Sequence, residues 1–255
     1  MRFAETEAAQ RARERYHGLH VPVGQWIVVR VDGRSFTTLT NAYFTKPFDA
    51  RFGEIMAGTA AALLKEFGGR YAYTQSDEIS VLMPQSTTLF GRSVEKLVSL
   101  TAATASVAFT QSAGRPGCFD ARLWTGDTVA DVVDYFVWRR ADAQRNALNT
   151  YIYWALREQG LTAGQIQVRL AGLGAEAKKE IAAAHGLPFD DLPEWQRSGA
   201  GIWFESVERP SYDRRAERNV VGLRRRLRSE FALPGGADYR GLVAHLADQP
   251  AAVAA

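Results

Sequence analysis

The chain has 255 residues, 46% of them hydrophobic and 23% charged, so it is long enough to bury a full core without covalent staples. Its single cysteine, Cys118, excludes an intrachain disulfide framework, and the scattered His17, His20, His185 and His245 give no zinc-type cluster. The net charge of +3 hides a strong bias, 26 arginines against 5 lysines. That bias suits a phosphate-rich partner, because guanidinium binds phosphate bidentately, and it suits GC-rich codon usage equally well.

No apolar run approaches the roughly 20 residues of a membrane span, and the first 18 residues lack the apolar stretch of a secretory signal. The expectation is a cytoplasmic protein with no membrane partner. Residues 4–16 read as a short polar helix. Gln25 to Val31 is a near-continuous β-rich run and reads as a central strand ending in the turn Asp32-Gly33-Arg34. A helix is expected from about Pro47 to Phe67, with Gly68-Gly69 beyond its end. Arg70 to Thr74 and Ile79 to Met83 read as two strands joined by the short turn Gln75-Ser76-Asp77-Glu78. Ser93 to Ser112 is a helix rich in small residues, and Cys118 to Trp124 a fourth strand. A long helical region runs from about Asp127 to Glu158, short helices fill 161–198, and Ala200 to Val207 reads as a late strand.

Arg209 to Glu230 holds eight arginines against Asp213, Glu217 and Glu230. Val220, Leu223, Leu227 and Phe231 fall at helical spacing there, which predicts a basic helix that is either a solvated face or an RNA-backbone contact. A partly disordered tail is expected after it. The resulting division is a catalytic unit over 1–208, its core at about 25–125, and a basic helix with tail over 209–255.

The order β-α-β-β-α-β is the ferredoxin-like pattern, an α+β fold with helices on one face of the sheet and here an extra helical C-terminal part. In that topology the first strand lies beside the third and antiparallel to it. The end of strand one, Asp32, therefore meets the hairpin turn carrying Asp77 and Glu78. Each motif alone is ordinary turn chemistry. Together they converge carboxylates on one sheet edge, a hard-oxygen site suited to Mg²⁺, as in the palm of polymerases and cyclases. Gly172-Leu173-Gly174-Ala175-Glu176-Ala177 matches a loose dinucleotide pattern but follows no buried strand, so no Rossmann site is expected.

Five segments then resemble a known family in order: Val29 to Phe36, Lys46 to Asp49, Gln75 to Ser80, Phe119 to Arg122, and Trp138 to Asp142 with Asn146. They resemble the tRNA-histidine guanylyltransferases and their Thg1-like relatives, the 3′-to-5′ RNA polymerases. The resemblance spans residues 26 to about 205. It implies Asp32, Asp77 and the Gly33 carbonyl as metal ligands, two Mg²⁺ ions, and Glu78 as a supporting catalytic acid. It implies nucleotide contacts from Gly33, Arg34, Ser35, Phe36, Thr37, Lys46, Asp49 and Ser76, and tRNA contacts from Arg122, Arg139, Asp142 and Asn146. Asp120–Arg122 and Arg139–Asp142 fit internal ion pairs as well.

The implied reaction activates a tRNA 5′-monophosphate with ATP or GTP, after which the 3′-hydroxyl of an incoming nucleoside triphosphate attacks the activated phosphate. A homo-oligomer, a tetramer by the family's precedent, is also implied. The chain departs from the family in two places. Gln144 stands where eukaryotic members carry a histidine linked to tRNA-His recognition, and Ala121 interrupts the Phe-Asp-Gly-Arg motif. Both favour template-dependent repair of tRNA 5′ ends over strict guanylylation of tRNA-His. A palm-type nucleotide cyclase and a catalytically idle tRNA-binding protein are the alternatives; the cyclase hairpin Gly-Gly-Asp-Glu-Phe is absent, and intact Asp32 and Asp77 speak against an idle site.

Overall fold

The computed structural model describes residues 3–213 and 218–249. In chain order these form α1 (Phe3–Arg11), β1 (Trp26–Gly33), α2 (Phe36–Tyr43), α3 (Ala50–Glu66), β2 (Tyr71–Gln75), β3 (Glu78–Leu82), α4 (Val94–Ala113) and β4 (Phe119–Gly126). There follow α5 (Val129–Glu158), α6 (Ala163–Leu170), α7 (Ala175–Ala184), α8 (Glu194–Ser198), β5 (Ala200–Asp213), β6 (Arg218–Glu230) and α9 (Gly236–Asp248).

Alternation along β1 assigns the two faces of the sheet. Ile27, Val29 and Val31 are fully buried against Met56, Ala60 and Leu63 of α3 and against Leu97, Ala105 and Phe109 of α4. On α4, Leu97, Thr101, Ala105 and Phe109 recur every four residues, the stripe that seats a helix on a sheet. Trp26 and Val28 point the other way, into a core shared with α5 and α9. The crossover helices α3 and α4 thus lie on one face, as the ferredoxin-like pattern predicts, and the added helices α5 and α9 close the other.

The strands run β4-β1-β3-β2-β5-β6, each neighbour antiparallel. The first four keep the ferredoxin order. Helix α5 opens with a capping box in which Thr128 and Asp131 satisfy each other's backbone N–H groups. Its first half packs on the sheet. Its second half leaves it, and there Leu148, Tyr151, Ile152 and Leu156 form a separate core with Ile166, Ala182 and Phe189.

The structure corrects the sequence reading in five places. Helix α2 was not anticipated, because its sequence FTTLTNAY is short and rich in threonine. Helix α3 begins three residues after Pro47, where Asp49 accepts from the Arg51 N–H as its N-cap. The predicted basic helix is instead β6, paired with β5 from Gly201↔Glu230 to Asp213↔Arg218. Its residues Val221, Leu223 and Leu227 fit period two as well as their neighbours fit a helical period, and pairing with β5 decides the outcome. Only Ala200 to Trp203 of β5 pair with β2, so most of the hairpin stands out as a two-stranded ribbon.

The division at 208/209 fails for the same reason, since β5 runs through it. Part of the expected disordered tail is α9, whose Tyr239, Val243, Leu246 and Ala247 are buried beside α5. The remaining tail, residues 250–255, lies outside the described residues.

Candidate active site

The last residues of β1 and the β2–β3 turn are joined by backbone. Asp32 pairs in register with Glu78, and the Gly33 N–H donates to the Asp77 carbonyl at 3.1 Å. Position 33 must be glycine. A Cβ there would stand 2.5 Å from the Phe36 ring and 2.9 Å from the Asp77 Cβ. The turn itself has two residues, Ser76 and Asp77, between the paired Gln75 and Glu78, with Ser76 in the left-handed region (φ 53°). Its hydroxyl donates to the Asp77 carboxylate at 3.1 Å.

Asp32, Asp77 and Ser76 open into a cavity of about 880 Å³, with Phe36, Thr37, Thr40 and Lys46 on one wall and Arg139, Asp142 and Asn146 on another. That volume fits the range of ligand clefts. Burial and the facing Asp32 charge push the Asp77 carboxyl above its ordinary range, opposed by the Ser76 hydroxyl and the Lys46 ammonium. Burial lowers the Lys46 ammonium, and the Asp77 charge partly restores it. Its Nζ donates to the Thr40 hydroxyl at 2.6 Å. Like-charged carboxylates crowded at a half-buried edge, with the Gly33 backbone between them, are a donor set that a hard divalent cation relieves. Among the described residues no three His, Cys, Asp or Glu side chains group at metal-binding distance, so the protein offers two carboxylates and backbone oxygen.

Glu78 lines the same cavity but its carboxylate is held elsewhere. Arg139 donates to both of its oxygens, at 2.8 and 2.7 Å, and the Arg30 guanidinium lies 3.5 Å away. Arg139 also donates to Asp142 at 2.9 Å, and Asp142 accepts from Asn146 at 3.4 Å and from Arg145. The proposed RNA-handling residues of α5 are therefore one ionic network rooted at Glu78, and Arg139 and Asp142 do form the ion pair that their spacing allows.

The other sequence-predicted residues divide. The Phe36 ring is packed against Phe52, Phe109 and Phe119, so it is core, and Thr37, Thr40 and Asn41 of α2 line the cavity beside it. Ser35 is left-handed (φ 62°) and makes no side-chain cap bond, which leaves the first amides of α2 uncapped by it. Asp49 lines the cavity, yet its carboxylate already accepts from the Thr45 and Arg51 amides and from the Arg51 guanidinium. Those bonds hold its carboxyl well below the usual range. Gly33, the last residue of β1, and Arg34 and Ser35 of the loop after it do not line the cavity; nor does Arg122, which sits exposed on β4 and pairs with Asp120 at 3.4 Å.

Sequence reasoning missed Arg30, Asn149, Tyr153, Trp154 and Gln167. Arg30 could have been found as the one charge inside an apolar strand. The other four line the cavity from α5 and α6, and nothing in their own segments marks them.

Comparison with known proteins gives the family. The family profile described as tRNAHis guanylyltransferase matches residues 9–125, and that of the Thg1 C terminal domain matches residues 130–229. The tRNA(His) guanylyltransferase of Neurospora crassa is 33% identical over 200 residues, 72% of this chain and 68% of the relative. The probable tRNA(His) guanylyltransferase of Drosophila melanogaster is 31% identical over 186 residues, 68% of this chain, and the match spans only 65% of that relative's length. Among solved structures, a bacterial tRNA(His) guanylyltransferase (Thg1)-like protein in complex with ATP superposes with a TM-score of 0.71 and 25% identity, covering 96% of this chain and 99% of that one.

Proposed function

The chain belongs to the tRNA(His) guanylyltransferase (Thg1) family, and from that premise we propose that it is a nucleotidyltransferase adding nucleotides to the 5′ end of tRNA. The observation that carries this reading is the convergence of Asp32, Asp77 and Lys46 on one cavity large enough for a nucleotide.

Asp32, Asp77 and the Gly33 carbonyl would hold Mg²⁺, two ions by the family's precedent. Bound there, the metal supplies positive charge to triphosphate oxygens and acidifies an attacking hydroxyl. The protein's own groups do the rest. Lys46, on the cavity wall beside Asp77, meets a phosphate as a compact point charge. The uncapped amides at the start of α2 add hydrogen-bond donors for an anion. The Glu78–Arg139–Asp142 network holds α5 against the sheet edge, so that Asn146 and its neighbours keep their place around the substrate. The tRNA 5′-phosphate attacks the α-phosphate of ATP or GTP with loss of pyrophosphate, and the 3′-hydroxyl of the next nucleoside triphosphate then attacks that activated 5′-phosphate with loss of the nucleoside monophosphate.

Gln144 bears on substrate choice. Its amide donates to the Ser198 hydroxyl at 2.9 Å, and it lines a small cavity beside α9, separate from the one holding the carboxylates. A neutral amide tied to α8 is a different reader from a histidine that can become cationic. The reading is therefore template-dependent 5′-end repair of several tRNAs, by a cytoplasmic homo-oligomer. The test uses 5′-monophosphorylated tRNA-His and two other tRNAs, each lacking its first nucleotide, with Mg²⁺, ATP and labelled triphosphates. Label is expected at the 5′ end of all three, and the nucleotide added should follow the opposing base. No addition to any tRNA would overturn the activity. Addition confined to tRNA-His and indifferent to the opposing base would overturn the repair preference.

A further inference from the structure

Trp138 is a large aromatic side chain left 53% exposed on a helix that otherwise buries its aromatic neighbours Tyr135 and Phe136. The Arg139 guanidinium lies over its ring, 4.5 Å from the centroid, and Tyr135 meets it edge-on at 5.8 Å. Arg139 is fixed by Glu78 and Asp142 and forms part of the wall of the carboxylate cavity. Trp138 therefore stands one side chain away from that cavity, backed by a guanidinium and braced by a tyrosine.

The surroundings suit a nucleic-acid strand. On β4, Asp120 pairs in register with Asp32 and Arg122 with Arg30, so β4 carries an exposed arginine alongside the end of β1. The Tyr135 ring also meets that of Trp124 of β4 at a tilt of 41°, centroids 4.9 Å apart, which ties this part of α5 to the same strand. An open indole, with an exposed guanidinium on the strand to which Tyr135 ties this part of α5, supplies a stacking platform and a phosphate contact, and every nucleobase has a π-face to offer it.

We propose that Trp138 is a positioning residue that stacks on a nucleobase at the acceptor end of the RNA and so aligns its 5′-phosphate with Asp32 and Asp77. This rests on the function proposed above. The substrate class it reads is an RNA end with an accessible base, and it has no part in binding the free triphosphate.

The experiment compares wild type with Trp138→Ala, Trp138→Leu and Trp138→Phe. It measures binding of 5′-monophosphorylated tRNA, binding of ATP alone, thermal midpoint and sedimentation mass. Trp138→Ala is expected to weaken RNA binding roughly ten-fold, Trp138→Leu to be nearly as weak, and Trp138→Phe to recover most of the loss. ATP affinity, thermal midpoint and mass should not move. With tRNAs made abasic one position at a time through the acceptor end, one site should abolish the difference between wild type and Trp138→Ala. Equal RNA affinity in Trp138→Ala overturns the proposal, as does a leucine variant as tight as wild type. A change in mass in place of RNA affinity also overturns it, since the indole would then be covered by a second copy. Wild type that fails to bind or extend tRNA defeats the underlying function; wild type that does both while Trp138→Ala matches it defeats only the role of Trp138.

Discussion

Arg139 donates to both carboxylate oxygens of Glu78, at 2.8 and 2.7 Å, so the acid adjoining Asp77 is committed to an ion pair across the sheet–helix boundary. Both side chains are largely buried, at 10% and 14% exposure. Removing Glu78 takes two charge-assisted bonds from Arg139 and leaves it only Asp142, which costs about 2 kcal/mol. Glu78→Ala is therefore expected to lower stability markedly, and denaturant unfolding checks it. An unchanged midpoint would mean that Glu78 does not anchor α5.

Asp32 and Asp77 should behave in the opposite way. They crowd one another at the cavity mouth, and burial with like charge already pushes the Asp77 carboxyl up. Asp32→Ala or Asp77→Ala is expected to abolish nucleotide addition and Mg²⁺ binding while the thermal midpoint holds or rises. Near-normal turnover in either variant would remove that residue from the metal site.

Lys46→Met keeps the aliphatic stem and deletes the charge. Nucleotide affinity is expected to fall by about ten-fold, the size of one charge-assisted contact, with little change in stability. Because burial lowers the Lys46 ammonium, wild type should lose nucleotide affinity as pH rises toward a value below the ordinary lysine range of about 10.4. That alkaline limb should be missing in Lys46→Met. A titration with identical limbs in both proteins would contradict the role.

Asp49 tests whether a cavity-lining acid is a cap or a ligand. Its carboxyl is held well below the usual range, first by the Arg51 side chain. A depressed folded value contributes stability above the unfolded value of about 3.9, lost as pH falls through the folded one. Asp49→Asn can still cap α3, so its deficit should be modest at neutral pH and should close only well below pH 4. Asp49→Ala should lose a further 1 kcal/mol or so at any pH. Acid unfolding curves of the three proteins decide it. Strong loss of nucleotide binding in Asp49→Asn with no loss of stability would make it a ligand.

The sequence made the inner sheet legible because its signals were local and redundant. The apolar run before Asp32, the short turn Gln75-Ser76-Asp77-Glu78 and the small-residue run from Ser93 to Ser112 each carried their signal within one segment. The acids followed from topology, since antiparallel pairing of β1 and β3 brings Asp32 to Glu78 whatever the side chains do. What was illegible depended on partners. Val220 to Leu227 fits both a helical and a strand period, and only β5 decides between them. The commitment of Glu78 to Arg139 joins positions 61 residues apart and leaves no trace in either segment. Phe36 read as a loop residue near a nucleotide, and its ring proves to fill the core beneath it.

The bond from the Gly33 amide to the Asp77 carbonyl has a consequence for how the site responds to its ligands. The spacing between the backbones that carry Asp32 and Asp77 is set by a rung of the sheet, and the absence of a Cβ at position 33 lets that rung close. Loading the site then asks for rotation of two carboxylates and no rearrangement of chain. The Gly33 amide should exchange with solvent deuterium only through events that open the β1–β3 ladder, and at the same rate with Mg²⁺ as without it once the gain in global stability is subtracted.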